Sequence, residues 1–241
     1  MAGVRKIKAT IRQITPHGEG VYTLALTPEK QLPRFDPGQF LHLAIDPYDP
    51  TGFWPESRVF SIASSPERRE EVTLCYSTVG RFTKRMEQEL AVGREVWLKL
   101  PYGEFTVSLA RETVLLAGGT GFTAFAAFLE RLSTAPHPLH VVYGARTEKL
   151  LIFGDLVRSR AAAVPGVDAD IFLEREAVPA ATESVRYHAG RIDLGTVWSR
   201  LTQPLDCDFY IAGPPAMIEA LKRVLAVRGV KPERVLVDAW S

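Results

Sequence analysis

The stretch "LLAGGTGFTAF" sets Gly118, Gly119, Thr120 and Gly121 between an apolar run and the start of a helical pattern. Small residues at such a turn let the backbone come close to a pyrophosphate, and a helix N-terminus adds unpaired N–H groups and partial positive charge. The spacing is neither G-x-G-x-x-G nor a P-loop, and tight strand-to-helix turns also use glycine for steric reasons alone. A second stretch, "FYIAGPPAM", repeats the arrangement. There Gly213, Pro214 and Pro215 turn the chain ahead of a helix containing Met217, and proline suits a helix's first turn. A third strand end, "YGARTEK", carries Arg146, suited to a phosphate or ribose. Turns of this kind are expected to converge at the C-terminal edge of one parallel sheet, where open α/β folds bind ligands.

The first half offers a different set. "RVFSIASSP" places Arg58, Val59, Phe60 and Ser61 on one short strand and ends it in Ser64, Ser65 and Pro66. Arg58 can form charge-assisted bonds to a diphosphate, Phe60 offers an aromatic face and Ser61 a neutral donor. In "GRFT", Gly80, Arg81, Phe82 and Thr83 open a helix whose first amides could hold the same anion. Together these residues describe a pocket for a flat cofactor that bears a diphosphate. Taken singly, Arg58 also reads as a solvated charge on an edge strand and Phe60 as a core residue.

Two kinds of element must position these groups. Up to about residue 108 the chain runs in short β-patterns, "KATIRQIT", "GVYTLALT", "GQFLHLAI", "RVFSIAS", "EVTLCYST" and "REVWLKL", which suggest a small antiparallel barrel. One helix interrupts them at "RFTKRMEQEL", where Phe82, Met86 and Leu90 recur every four residues and Gly93 follows as a stop. The segment 46–57, with Pro47, Pro50, Pro55 and several aromatics, reads as a surface loop, functional or merely connecting. From Thr113 the rhythm becomes strand, glycine turn, helix. "TVLLAGGTGF" leads into "TAFAAFLERL" and "LHVVYGAR" into "EKLLIFGDLVRSR". Then come "ADIFLE", "IDLGTVWSRL", "CDFYIAG" into "PPAMIEALKRVLAV", and "RVLVDAW". The expected fold is therefore two-domain, with an N-terminal antiparallel Greek-key β-barrel in residues 1–108 and a C-terminal α/β parallel-sheet domain in residues 109–241.

Composition narrows the class. The 241 residues are 46% hydrophobic and 24% charged, ordinary values for a globular protein with room for two cores. Against 29 Lys and Arg stand 28 Asp and Glu, so a net charge of +1 supplies no overall field for nucleic acid or an anionic membrane. The opening "MAGVRKIKATIRQ" lacks a signal-peptide apolar region and no apolar run is long enough to span a bilayer, which points to a cytoplasmic protein. Cys75 and Cys207, the only cysteines, cannot supply a four-thiolate cluster and read as buried free thiols. The scattered histidines, with Pro138 between His137 and His140, argue against a metal site.

Taken in order, "RVFS" for R-x-[YF]-S, "GRFT" for G-x-x-[ST], "PYGEF" after the barrel, "GGTGF", and "AGPPAM" for C-G-P-P-x-M resemble the ferredoxin-NADP reductase superfamily along the whole chain. The resemblance implies a flavin-binding barrel followed by a nicotinamide-dinucleotide domain. It implies that Arg58 and residues 80–83 hold the FAD diphosphate, that Phe60 and Tyr76 line the flavin, and that Ser61 hydrogen-bonds near flavin N5, which takes the hydride from nicotinamide C4. By the same resemblance Asp238 is the acidic partner near N5, and Trp240 matches a C-terminal aromatic that some relatives stack on the isoalloxazine. Ala212 stands where the family commonly has cysteine, and Ala124 where proline usually opens the helix. In "FLEREA", Glu174 and Arg175 sit where relatives choose between a 2'-hydroxyl and a 2'-phosphate. NADPH or NADH is open there, with Arg175 tilting the choice to NADPH.

The function implied is a FAD-dependent NAD(P)H reductase that passes electrons to a separate acceptor protein, a ferredoxin, flavodoxin or oxygenase component, because two cysteines cannot carry the cluster in this chain. One alternative is a flavin reductase that uses free flavin as substrate. A second is a non-enzymatic electron-transfer subunit resembling the flavin subunit of dihydroorotate dehydrogenase, against which the missing C-terminal cysteine cluster counts.

Overall fold

The computed structural model describes residues 3–238, in two compact units that divide between Thr106 and Val107. Each unit is built on one six-stranded sheet.

The first unit contains β1 (Arg5–Gly18), β2 (Val21–Pro28), β3 (Phe40–Ala44), β4 (Ser57–Ser61), β5 (Val72–Ser77), α1 (Arg81–Glu89) and β6 (Glu95–Tyr102). All six expected strands form. Their spatial order is β4-β3-β6-β1-β2-β5, antiparallel throughout, with β6 set between β1 and β3 in the Greek-key manner. Beyond β4 the chain changes partner: Ile62 still donates to Gln39 of the β3 side, whereas the Ala63 amide donates to Thr73 of β5 at 2.8 Å. That switch nearly closes the barrel and explains the serines that follow β4. Ser64 is buried, its hydroxyl accepting from the Thr73 amide at 3.1 Å, and Ser65 accepts from the Glu67 amide at 3.3 Å. They satisfy backbone groups at a turn that would otherwise be left unpaired.

Inside the barrel, Ile7, Ile11, Leu24, Leu26, Leu41, Leu43, Leu74 and Leu98 form one core, and Phe82 and Met86 of α1 belong to it. The four-residue spacing of Phe82, Met86 and Leu90 puts one apolar stripe of α1 against that core. Tyr22 of β2 ties the helix down by donating to Glu87 at 2.7 Å. The segment 46–57 is more than a connector: Tyr48 is buried and packs against Trp54 and Trp97, with ring centroids 5.2 Å apart in each pair.

The second unit contains β7 (Thr113–Gly118), α2 (Thr123–Arg131), β8 (Leu139–Ala145), α3 (Gly154–Ala163), β9 (Val167–Leu173), β10 (Val185–Ala189), α4 (Leu194–Trp198), β11 (Asp208–Ala212), α5 (Pro215–Val227) and β12 (Val235–Val237). The sheet is parallel in the order β10-β9-β8-β7-β11-β12. From β7 the chain winds outward to β8, β9 and β10, then returns to β11 on the other side. The winding therefore reverses between β7 and β11. Val114 and Leu116 of β7 face α4 and α5 in one cluster, and α2 and α3 pack together on the other side of the doubly wound sheet.

Three expectations need correction. The helix expected over residues 148–160 is a single 3-10 turn at Glu148–Leu150 followed by α3 from Gly154, because "LLIF" buries Leu150 and Leu151 instead of continuing the helical stripe. The helix in "IDLGTVWSRL" shrinks to five residues, opened by Asp193 accepting from the Gly195 amide at 2.8 Å. Finally β10, "VRYHA", has no counterpart in the strand pattern read from sequence. Its charged residues conceal it, and only their partners account for it.

Those partners form a buried ionic ladder across β8, β9 and β10. Asp170 of β9 is fully buried and accepts from Arg186 Nε at 3.1 Å and from His188 Nε2 at 2.7 Å, with Arg200 beyond α4 as a third partner. Asp168 binds Arg186 at 3.0 Å and His140 Nδ1 at 3.1 Å, and Glu112 binds His140 Nε2 at 3.0 Å. Glu112 also accepts from the Thr202 amide at 3.0 Å. Such a buried charge needs every partner it has.

His140 has a pH signature. Burial alone would lower its pKa, but hydrogen bonds and charges from Asp168 and Glu112 outweigh burial and raise it above 6.5. A pKa raised on folding stabilises fully below the unfolded value and is lost as pH rises through the folded one. Urea unfolding should therefore show the wild-type chain losing stability as pH rises above about 6.5. The His140→Gln variant should start lower and change less over that range.

Candidate functional site

At the rim of the barrel, β4 and α1 bring the first set of residues together. Register with β3 pairs Leu41 with Phe60 and Leu43 with Arg58, so Arg58 and Phe60 share the core face of β4. Val59 and Ser61 lie on the opposite face, paired with His42 and Phe40. Arg58 and Ser61, which flank Phe60 in sequence, thus act on different sides of the strand. Because Phe82 plugs the barrel, the Arg58 guanidinium comes to rest over its ring, 5.1 Å from the centroid. This sets Arg58 beside the first turn of α1, where Gly80 is the N-cap in an extended conformation. Thr83 Oγ1 accepts from the amides of Val79 and Gly80 at 3.0 and 3.1 Å and so fixes that turn. Phe60 packs against the core from a half-buried position, its ring 6.4 Å from that of Tyr76. Tyr76 itself is buried and stacked on Tyr22 at 5.2 Å, and burial raises the pKa of its hydroxyl.

One residue at this rim was not singled out in the sequence. Glu56, just ahead of β4, accepts from Arg58 at 3.0 Å and from Arg81 at 3.0 and 3.1 Å. The Arg81 hydrogen bond and the charges of Arg81 and Arg58 hold its carboxyl below the usual glutamate range, against an opposing contribution from burial. Arg85, one turn along α1, binds Asp46 at 2.7 Å and Glu89 at 2.8 Å. The available signal was the two-residue spacing of Glu56 and Arg58, which places them on one side of an extended chain.

In the second unit the two glycine turns meet at the C-terminal ends of β7 and β11, neighbouring strands in the sheet. After β7 the chain makes a 3-10 turn over Gly119–Phe122 before α2 begins, so the helix starts later than the sequence suggests. A Cβ on Gly121 would stand 2.5 Å from the Gly213 backbone, and one on Gly118 would stand 2.5 Å from Met217 Sδ and 3.0 Å from Pro214 Cδ. Gly213, at φ +150, would in turn place a Cβ 2.6 Å from Met217 Cε. Gly121 is required by the backbone contact of one turn with the other and Gly213 by its φ as well, whereas Met217 can yield part of the space at Gly118. Gly119 differs: its φ is +53, and a Cβ there would meet nothing within 4 Å. Its carbonyl accepts from the Tyr143 hydroxyl at 3.2 Å, and Thr123 donates to the Thr120 carbonyl at 2.6 Å, so the turn is held from below. Pro214 and Pro215 open α5 with no side-chain cap and no N–H of their own, and the amides of Met217 and Ile218 donate to the Pro214 carbonyl at 2.9 and 3.1 Å.

Further along the same edge, Arg146 follows β8, and Glu174 and Arg175 follow β9. The Arg175 amide donates to the Arg146 carbonyl at 3.0 Å. Glu174 is engaged by Arg191 at 3.4 Å. Asp238 is buried just past β12, its amide bound to the Ile211 carbonyl of β11 at 2.9 Å, and Ala212 is buried at the end of β11. Trp240 lies outside the described residues. Cys75 and Cys207 are both buried free thiols, and burial pushes the Cys207 thiol up to about 12.

A doubly wound sheet with two tight turns at its switch point is the architecture of a dinucleotide-binding domain, and residues 115–223 match the family described as the oxidoreductase NAD-binding domain. The electron transfer component of toluate 1,2-dioxygenase from Pseudomonas putida is 30% identical over 211 residues, covering 86% of this chain and 59% of that protein. The reductase component of propane 2-monooxygenase from Rhodococcus jostii is 25% identical over 246 residues, covering 99% of this chain and 64% of that protein. This chain thus spans about three-fifths of such curated relatives. Among solved structures, the Amycolatopsis cytochrome P450 reductase GcoB superposes with a TM-score of 0.80 at 21% identity, covering all of this chain and 71% of that one. The FAD/NAD-binding domain of the Vibrio cholerae nitric oxide dioxygenase gives 0.73 at 20% identity, covering 96% and 97%. Residues 115–223 thus carry an oxidoreductase NAD-binding domain, and this match together with these relatives supports the ferredoxin-NADP reductase superfamily for the chain.

The glycine geometry sets an order of sensitivity. Gly121→Ala forces two backbones apart and should cost about 1–3 kcal/mol, whereas Gly119→Ala meets open space and carries only the left-handed backbone cost of about 1–2 kcal/mol. Urea midpoints should therefore fall further for Gly121→Ala, and the reverse order would contradict the interlocked turns.

Proposed function

We propose that this chain is the flavin- and nicotinamide-binding part of an NAD(P)H-dependent reductase that delivers electrons to a separate acceptor protein. The observation that carries this reading is the placement of Arg58 over Phe82 at the N-terminus of α1: two motifs far apart in sequence meet where a diphosphate can be held by a guanidinium and helix amides together. The dinucleotide edge of the second unit supplies the complementary requirement.

In this proposal Arg58 and the segment Gly80–Thr83 hold the FAD diphosphate, and Phe60 presents the aromatic surface for the flavin, with Tyr76 stiffening it from the core. Ser61 is proposed as a hydrogen-bond partner near flavin N5, with Asp238 as the acidic partner. The turn at Gly118–Gly121 lets backbone approach the pyrophosphate of NAD(P)H, Gly119 being the position with open space above it, and the turn at Gly213–Pro215 lies beside it at the next strand end. Bound flavin would supply the chemistry that protein side chains lack, accepting a two-electron equivalent and releasing single electrons. The chain's own contribution is positioning and a fixed electrostatic setting. Arg146 and Arg175 next to each other, with Glu174 drawn toward Arg191, favour a 2'-phosphate and hence NADPH over NADH. The relatives named as reductase and electron transfer components of oxygenase systems support an oxygenase component or its ferredoxin as the acceptor. Flavodoxin is the third candidate.

A second reading keeps the residues and changes the role of flavin, which would enter as a substrate and leave reduced. The pairing of both Arg58 and Arg81 with Glu56 favours it, since these arginines are already engaged by a carboxylate.

The test is the visible spectrum of the desalted protein, followed by anaerobic addition of NADPH or NADH. Bound FAD that bleaches with NAD(P)H supports the first reading. A colourless protein that oxidises NAD(P)H only when flavin is added selects the second, and no flavin-dependent oxidation at all overturns both. Ser61→Ala should slow flavin reduction about 10-fold or more with FAD affinity nearly unchanged. An unchanged rate would remove Ser61 from its proposed place.

A further inference from the structure

The two arginines placed to meet a diphosphate converge on a single carboxylate. Arg58 Nη2 and Arg81 Nη2 both lie 3.0 Å from Glu56 Oε1, and Arg81 also reaches Oε2 at 3.1 Å. The second Arg58 nitrogen donates to its neighbour's carbonyl, that of Ser57, at 2.8 Å. Among the described residues, the next arginines are engaged elsewhere: Arg85 with Asp46 and Glu89, and Arg94 with Glu89 and the carbonyls of Glu89 and Ile45. A carboxylate therefore already sits on the arginines beside the N-terminus of α1, in the manner in which a phosphate would.

From this geometry we infer that Glu56 is an internal competitor for the flavin diphosphate, setting how tightly FAD is held and how fast it leaves. The inference rests on the proposal that Arg58 and α1 bind that diphosphate. A diphosphate approaching this rim must displace the carboxylate from both guanidinium groups or share them with it, and two anions on the same donors repel one another. When the ligand departs, Glu56 re-pairs with Arg58 and Arg81, so the empty site is less costly than two unpaired cations would be. Both pairs are solvent-exposed, which keeps the exchange shallow: each is worth little by itself, and the barrier to swapping one anion for another is low. The chemistry selects for phosphate, because the isoalloxazine and ribityl portions of a flavin carry no charge for Glu56 to oppose.

Glu56→Gln keeps the size and hydrogen-bonding capacity of the side chain and removes its charge. Binding of FAD, FMN and riboflavin to the full chain and to this variant can be followed by quenching of flavin fluorescence, with release followed after dilution. The expected result is roughly three- to tenfold tighter FAD binding, slower FAD release, and riboflavin binding unchanged. FMN should respond in the same direction as FAD. Unchanged or weaker FAD binding by Glu56→Gln, with FAD still bound by the wild-type chain, would overturn the inference and make Glu56 a brace that orients the arginines. An equal gain for riboflavin would also overturn it, since that gain could not come from the phosphates. FAD binding by neither protein would instead reject the flavin assignment of the site itself. Thermal unfolding without flavin should show a single cooperative transition for both proteins, with Glu56→Gln only slightly less stable, separating the effect from a loss of the fold.

Discussion

The contact between two backbone turns at the ends of β7 and β11 constrains the second unit more than any side-chain interaction. Gly121 lies against the Gly213 backbone at a distance that admits no Cβ, and Gly118 packs against Met217 and Pro214. This contact is possible only because β7 and β11 are adjacent, which follows from the reversal of winding between them. Reversal in turn sends α2 and α3 to one face and α4 and α5 to the other. Both turns at this edge are positioned by that choice, including the lift of Gly119 into open space.

In the first unit the corresponding constraint is the plugging of the barrel by α1. Phe82 and Met86 complete the core, so the N-terminus of α1 must lie at the rim where β4 begins. Arg58 reaches it because the pleat puts Arg58 on the core face and the rim leaves its guanidinium in solvent. The same geometry delivers Glu56 to that place, two residues earlier. The two arginines beside the N-terminus of α1 thus meet an acidic residue that precedes β4, and Glu56 pairs with both.

The ionic ladder of Glu112, His140, Asp168, Arg186, Asp170, His188 and Arg200 has a different character. It lies among β8, β9 and β10, close to their starts, and sews an edge strand of polar sequence onto a parallel sheet. A strand with Arg186 and His188 would be a poor choice for burial by transfer energy alone. Paired with Asp170 and Asp168, these residues fix register as well, because a shift by one residue would leave a buried carboxylate without partners.

How much of this was legible in the sequence varies with the range of the interaction. Alternating apolar residues specified all six barrel strands, the four-residue stripe specified α1, and the paired motifs "GGTGF" and "AGPPAM" specified two turns at one sheet edge. Such signals are local, since each is set by the period of a single element and the conformational needs of glycine and proline. The strand β10, the break between Glu148 and Gly154, the short α4 and the pairing of Glu56 with Arg58 and Arg81 were decided only in three dimensions. Their causes are charges and apolar residues brought together from distant parts of the chain, and neither periodicity nor composition records which carboxylate will find which arginine.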